Sequence, residues 1–489
     1  MKPMKPSLNL KRTHLECMSD KDDFRSNGRD RGDLISRFEQ MLKENDNYFF
    51  DADQFEDIID YYLEQNKYTK AIDAIEHAVK IYPNNTGIIL REAQLMASTG
   101  KRSEAVPKLK TLLKFEHNNV DALLTLASIC SQMREHKEAI IYFRKALALA
   151  DRGVQNDIYI DLALEYENLE QWPKAIAVLK EALEKNPANE TAVYEITYCF
   201  EEMDQTAECA EFLEKFIDDN PYSFPAWYNL GNVFQRLDMH EKAIESYGFA
   251  LAINDKFGPA YLNKALAYVK LDKITKAIDI YKELLEIEPP QATTYCFIGE
   301  CYERLELVTK ARDYYQLALE LDPLLADAHI GMGMTHDLMG EFEAAIACMK
   351  KGLDLEPDQI DFYLLYGALL KRNGQFDEAI KVFKRGLIVY NGHEDIWIEY
   401  GDTLLKQGKT KEAVETIDRA LDVIPFSIPL AYRKAAFAIL SGQKEEGLQL
   451  LGLLLATHFE KSESLLAEYP SLENDPDVIV LYNDYKDSE

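Results

Sequence analysis

The chain has 489 residues, and its 85 Asp and Glu against 55 Lys and Arg leave a net charge of −30. That balance argues against holding nucleic acid or an anionic membrane by charge alone. The seven cysteines (Cys17, Cys130, Cys199, Cys209, Cys296, Cys301 and Cys348) are odd in number and show no C-x-x-C spacing, so they read as small buried side chains in a reducing compartment, not as a disulfide framework.

Residues 1–33 are polar, with Lys11, Arg12, Asp20, Asp22, Asp23, Arg25, Arg29 and Arg31 among few apolar groups, and are expected to form a disordered tail. They lack the apolar stretch of a signal peptide, and no apolar run reaches membrane-spanning length, so the expected location is cytoplasmic without membrane insertion. Met18 opens the run MSDKDDF and is a second candidate start beside Met1. Over 34–51, Leu34, Ile35, Phe38, Met41 and Leu42 fall at helical spacing and predict a capping helix.

From 52 to 461 one small residue keeps returning: Ala71, Ala105, Ala139, Ala175, Cys209, Ala243, Ala277, Ala311, Ala345, Ala379, Ala413 and Gly447. Ten of the eleven steps are 34 residues, and one, from Ala139 to Ala175, is 36. Such self-similarity predicts stacked helical hairpins, each burying its apolar face only against its neighbours. The twelve units begin at 52, 86, 120, 156, 190, 224, 258, 292, 326, 360, 394 and 428. Position 8 of the unit is again small, as at Ala93, Ala163, Gly231, Gly299, Gly367 and Gly401. Seven units carry proline at position 32, where it ends one hairpin and starts the turn into the next. Each unit is therefore read as two antiparallel helices, A and B.

Three places break the pattern. The two extra residues lie within Asp151–Asn156 and are expected to lengthen a turn rather than bend the array. Pro107 falls inside helix B of the second unit, which predicts a late start or a kink, since an interior proline costs about 3 kcal/mol. The last unit has Gly447 for the anchor alanine and no closing proline. Residues 462–489, with Leu465, Leu466, Val478, Ile479, Leu481 and Tyr482, predict one or two capping helices broken near Pro470 and Pro476, then an acidic tail.

Trp227, Leu230, Gly231, Phe234, Ala243, Tyr247 and Ala250, and again Trp397, Tyr400, Gly401, Leu404, Ala413, Ile417, Ala420 and Pro425, resemble the signature of the tetratricopeptide-repeat family. The resemblance covers residue 52 to about residue 461. It implies an all-α fold: a right-handed superhelical solenoid of about twelve helix-turn-helix units with terminal capping helices. It also implies a concave groove, lined by the A helices, that holds peptide segments of partner proteins.

Catalytic signatures are not apparent: the sequence has no P-loop, G-x-G-x-x-G, H-E-x-x-H or G-x-S-x-G. His329 and His336 share a helix but stand seven residues apart, about 10.5 Å along the axis, too far for one metal ion. Both occupy aromatic core positions of the unit. Neither an enzymatic activity, a cofactor, a metal nor a small-molecule substrate is therefore expected.

The residues free to meet a partner are those at positions 2, 5, 6, 9, 12 and 13 of each A helix. Position 5 is an apolar stripe that includes Tyr194 and Tyr228, explained either by half-burial in every unit or by partner contact. Tyr198 adds a second tyrosine one turn after Tyr194, and the next unit offers Asn229, Asn232 and Arg236, with Asn263 one period after Asn229. Asparagine carries both donor and acceptor, and some family members use such a ladder to bind peptide backbone; ordinary polar surface is the other reading. The family's carboxylate clamp for chaperone tails needs cations that Tyr228, Thr293 and Phe297 replace here, so that ligand is not expected. Carboxylates crowd the first unit (Asp51, Asp53, Glu56, Asp57, Asp60, Glu64) and the fourth and fifth (Asp157, Asp161, Glu167, Glu195, Glu201, Glu202), while Lys371, Arg372 and Lys406 stand toward the C-terminus. A protein or peptide partner of basic or mixed charge is favoured. The expected function is a non-catalytic interaction scaffold, with the regulatory subunit of a separately encoded enzyme as the alternative. An RNA-binding helical repeat is disfavoured by the acidic groove.

Overall fold

The structure, a computed structural model, describes residues 27–44, 48–462 and 468–486. The expected tail over 1–26, with Met18 and Cys17, and the apolar Leu465 and Leu466 lie outside the described residues. The chain divides into two compact units, Met1–Ile253 and Asn254–Glu489.

In the first unit, helix α1 (Asn27–Glu44) precedes six hairpins. These are α2 (Ala52–Glu64) with α3 (Tyr68–Ile81), α4 (Thr86–Ser98) with α5 (Arg102–Phe115), α6 (Val120–Gln132) with α7 (His136–Leu149), α8 (Arg152–Asn168) with α9 (Trp172–Lys185), α10 (Glu190–Glu202) with α11 (Thr206–Asp219), and α12 (Phe224–Arg236) with α13 (His240–Ile253). The second unit holds six more: α14 (Gly258–Lys270) with α15 (Ile274–Ile287), α16 (Ala292–Arg304) with α17 (Val308–Leu321), α18 (Ala326–Leu338) with α19 (Phe342–Leu355), α20 (Ile360–Arg372) with α21 (Phe376–Val389), α22 (Glu394–Lys406) with α23 (Thr410–Val423), and α24 (Ile428–Leu440) with α25 (Lys444–His458). A short helix Pro470–Glu473 and a final helix Pro476–Lys486 follow. Both prolines open their helices, the position where a missing N–H costs nothing.

The repeat is built from local rules applied twelve times. Each A–B turn carries one residue at positive φ, at the fifteenth place of the unit: Asn66, Gly100, Arg134, Glu170, Asp204, Asp238, Asp272, Glu306, Gly340, Gly374, Gly408 and Gly442. Several A helices start on a side-chain cap, as where Asn85, Asn119 and Asn189 accept from the amides of Ile88, Ala122 and Ala192. At position 4 a side chain with a donor tip reaches the carbonyl six residues back. Trp227 meets Pro221, Tyr261 meets Asp255, His329 meets Pro323, Tyr363 meets Pro357 and Trp397 meets Asn391, all at 2.6–3.2 Å. His329 thus stands in for a tryptophan. Burial lowers its pKa, and the neutral ring serves Pro323 from Nε2.

The ten anchor alanines are fully buried and Cys209 is 1% exposed, which is how A and B helices approach closely. At position 8, glycine makes room for the large residue at position 24 of the same unit. A Cβ on Gly231, Gly299 or Gly367 would fall 2.3–2.7 Å from the ring of Tyr247, Tyr315 or Phe383.

The structure departs from the sequence expectations in three places. Helix α1 begins at Asn27 and not at Leu34, so residues 27–33 are helical rather than tail. The two extra residues lengthen a helix, not a turn: α8 has 17 residues where α6 has 13, while only Ala150 and Asp151 separate α7 from α8. Gln155 stabilises this tight entry, its amide donating to the Ala150 carbonyl at 2.9 Å. Helix α5 starts at Arg102, ahead of Pro107, so it does not start late. Ser103, whose carbonyl loses its helical donor to the proline, is exposed to water, as is Pro107 itself.

Candidate functional site

Tyr194 and Tyr198 stand one turn apart on α10, both half-buried. Tyr194 meets Tyr228 of α12 edge-on at 6.5 Å between ring centroids, and Tyr198 meets Trp172 of α9 edge-on at 6.0 Å. Tyr228 leans in turn on Tyr247 of α13 at 5.9 Å. The result is an aromatic band along the A helices of the fifth and sixth repeats. Burial pushes the Tyr198 hydroxyl up to about 12 and raises that of Tyr194 further, so both are neutral donors at physiological pH. A rigid ring with a polar tip is the side chain best suited to bind a partner at low entropic cost.

The polar residues expected beside them divide. Asn229 is 4% exposed and its amide donates to Pro225 O at 2.8 Å, so it belongs to the wall of the site and is not a rung on its surface. A buried amide must find a partner, and the carbonyl four residues back is the nearest. Asn232 is half-buried and accepts from the Tyr247 hydroxyl at 2.8 Å, as does Gln235 at 2.8 Å; one proton serves one acceptor at a time. Arg236 is exposed, its Nη2 3.1 Å from Glu201 Oε2, joining the two repeats. Asn263 is a half-buried residue of α14 in the second compact unit. The two-rung ladder is thereby reduced, because Asn229 does not present its amide.

Sequence reasoning missed one contributor and did not separate another from its neighbours. Tyr247 sits on a B helix, yet its hydroxyl passes the slot opened by Gly231 and reaches the A-helix face. Tyr315 does the same past Gly299, donating to Glu303 at 2.9 Å. The signal was present as glycine at position 8 with tyrosine at position 24. The other is Glu195, beside Tyr194, one of the carboxylates counted in the fifth repeat, whose burial the sequence did not reveal. It is half-buried, burial alone raises its pKa, and no cation stands against it among the described residues. Glu201 is also raised by burial, an effect that Arg236 opposes. In the same array, the carboxylate of Glu165, 3% exposed, is answered by His136 Nδ1 at 2.7 Å.

The acidic first repeat is partly neutralised from within. Arg91 reaches back from the second repeat to bind Asp60 through Nε and Nη2 at 2.8 and 2.6 Å and Glu56 through Nη1 at 2.8 Å. Asp51 serves as the N-cap of α2 in a capping box with Gln54. Among the described residues no three His, Cys, Asp or Glu stand together as a metal site, and no helix is long and apolar enough to cross a membrane. Cys130, Cys199, Cys209, Cys296 and Cys301 are buried free thiols, and Cys348 is half-buried.

The tetratricopeptide-repeat family models match residues 60–85, 120–152, 224–257, 258–291, 292–323, 326–359 and 370–436, more than half of the chain. The chain belongs to the tetratricopeptide-repeat family. No curated protein matches this tetratricopeptide-repeat chain in sequence. Among solved structures it is similar to the APC/C hetero-tetramer Cut9–Hcn1, at 13% identity and a TM-score of 0.40 over 83% of this chain and 95% of that one. It is also similar to a tetratricopeptide-repeat protein from Parabacteroides merdae, at 19% identity and a TM-score of 0.40 over 51% of this chain and 98% of that one. A third likeness is to MamA, at 25% identity and a TM-score of 0.30 over 33% of this chain and 95% of that one.

Proposed function

We propose that this tetratricopeptide-repeat protein is a non-catalytic scaffold that binds a basic or mixed-charge segment of a partner protein on the A helices of its fifth and sixth repeats. The observation that carries the reading is the aromatic band of Tyr194, Tyr198 and Tyr228 beside the uncompensated carboxylate of Glu195. A desolvated carboxylate gains most from a cation that arrives with the ligand. The neighbouring tyrosines supply rigid contact area for that ligand. The buried free thiols agree with a place in the reducing cytoplasm.

The test is affinity capture from the native organism with the full chain as bait, read by mass spectrometry, run beside a Tyr198→Ala, Glu195→Lys bait of unchanged circular dichroism. Proteins retained by wild type and lost from the variant are the expected result. Equal recovery of every specific partner by both baits would remove this site from the proposal.

A further inference from the structure

The A helices of the last three repeats carry a second polar face, with Lys371 on α20, Glu399 and Asp402 on α22, and Arg433 and Phe437 on α24. Lys371 pairs with Glu399. Apart from Phe437, these are the positions that the repeat leaves free for partners. The chain itself returns to this face after its last hairpin. Tyr469 is 7% exposed, meets Phe437 edge-on at 5.8 Å and donates its hydroxyl to Asp402. Glu468 accepts from Arg433 Nη2, and Leu472, 1% exposed, belongs to the same apolar cluster as Phe437 and Tyr469. A segment reading Glu-Tyr-Pro-Ser-Leu thus lies where a partner peptide would.

The fit is incomplete. Arg433 is 9% exposed, yet its Nε has no hydrogen-bond partner among the described residues; Asp402 Oδ2 stands 3.8 Å away. A buried guanidinium is best satisfied by a carboxylate that takes two of its donors in a fork. Glu468 is given one bond to it, from Nη2, and its own side chain is 41% exposed.

We propose that the A-helix face of the eleventh and twelfth repeats is a peptide-binding site for a carboxylate residue followed directly by an aromatic one, and that Glu468–Leu472 fills it as an intramolecular stand-in which a partner segment of the same chemistry displaces. This site differs in place and in ligand charge from the one on the fifth and sixth repeats, so either can fail without the other. Occupation in cis lowers the apparent affinity for a ligand in trans by the fraction of chains in which the site is open.

The probe is a fluorescein-labelled peptide with the sequence of residues 466–474, titrated by anisotropy into full-length wild type and into the full-length double variant Glu468→Ala, Tyr469→Ala. The peptide is expected to bind the double variant at least tenfold more tightly than wild type. Adding Arg433→Ala, or replacing Glu and Tyr of the peptide by Gln and Ala, is expected to remove at least tenfold of that affinity. Equal binding to both proteins, or no binding to a folded double variant, would overturn the proposal. Should the double variant not fold, hydrogen exchange on wild type decides. The amides of Leu472 and Asp475, which bond to the carbonyls of Tyr469 and Leu472, are expected to exchange at least tenfold faster than the amides of α24. Protection equal to that of α24 would make the segment a fused cap and refute its displacement.

Discussion

Replacing Gly367 by alanine tests the packing rule on which the repeat depends. An added Cβ would lie 2.3 Å from Cε1 and Cζ of Phe383 and 3.1 Å from its Cδ1, and Phe383 is fully buried with no open side to move into. Alanine in a helix interior gains about 1 kcal/mol over glycine. Overpacking a tight core costs about 1–3 kcal/mol, and an intrusion more than an ångström inside ordinary contact belongs at the upper end. The net expectation is a loss of about 1–2 kcal/mol. Gly452→Ala is the control: its Cβ would meet Leu481 at 3.5 Å, an ordinary contact, so the helix gain of about 1 kcal/mol should survive. The two substitutions are chemically identical and should have opposite signs. Native-state hydrogen exchange reads each one locally, which matters because stability in a repeat array is set mainly between neighbours. Phe383→Leu combined with Gly367→Ala should lose less than the sum of the single changes, since each relieves the other. The same sign for both glycines, or strict additivity of the pair, would refute the reasoning.

Other expectations follow from single residues. Ala243→Leu and Ala311→Leu, each at a fully buried crossing, should cost about 1–3 kcal/mol and broaden urea melting around the altered repeat, whereas unchanged curves would mean the crossings are loose. Pro107→Ala should stabilise α5 by up to about 3 kcal/mol, seen as slower exchange of its amides; no change would show that water fully compensates the lost bond. Glu195 is held above the ordinary glutamate range by burial, so the native state keeps a proton that the unfolded chain has released, and stability falls as pH rises through that raised value. Glu195→Gln should therefore melt higher than wild type at pH 7, with the difference shrinking toward about pH 4; an equal or larger gain at the acid end would contradict the sign.

The periodic features were legible because they recur. Anchor alanines, small residues at position 8 and turn prolines answer constraints that each hairpin meets separately, so their recurrence across most of the twelve copies reveals them even without any single strong match. Where one copy departs from the rest, the outcome depends on local competition. The inserted residues could have joined a loop, but helical hydrogen bonds in α8 and the Gln155 bridge to Ala150 favoured a longer helix. Of the candidate site, the sequence placed the aromatic side chains better than the polar ones. Tyr194 meets Tyr228, while Tyr198 packs on Trp172 of the preceding repeat, a partner its spacing did not indicate, and Asn229 turned inward to its own helix. Whether a polar side chain points out or folds back on its own backbone is settled by a few ångströms of packing, to which residue spacing is blind. The return of Tyr469 to Asp402 joins residues 67 apart in sequence, and no repeat carries that information.

The most direct test of the scaffold claim is a calorimetric titration of the captured partner's binding segment into the full chain and into its Tyr198→Ala variant. The account predicts a loss of at least about 2 kcal/mol, roughly thirtyfold in Kd, with the circular dichroism spectrum unchanged. Affinity within about twofold of wild type would contradict it, and loss of binding on Glu56→Gln and Asp60→Asn with the circular dichroism unchanged would move recognition to the acidic first repeat.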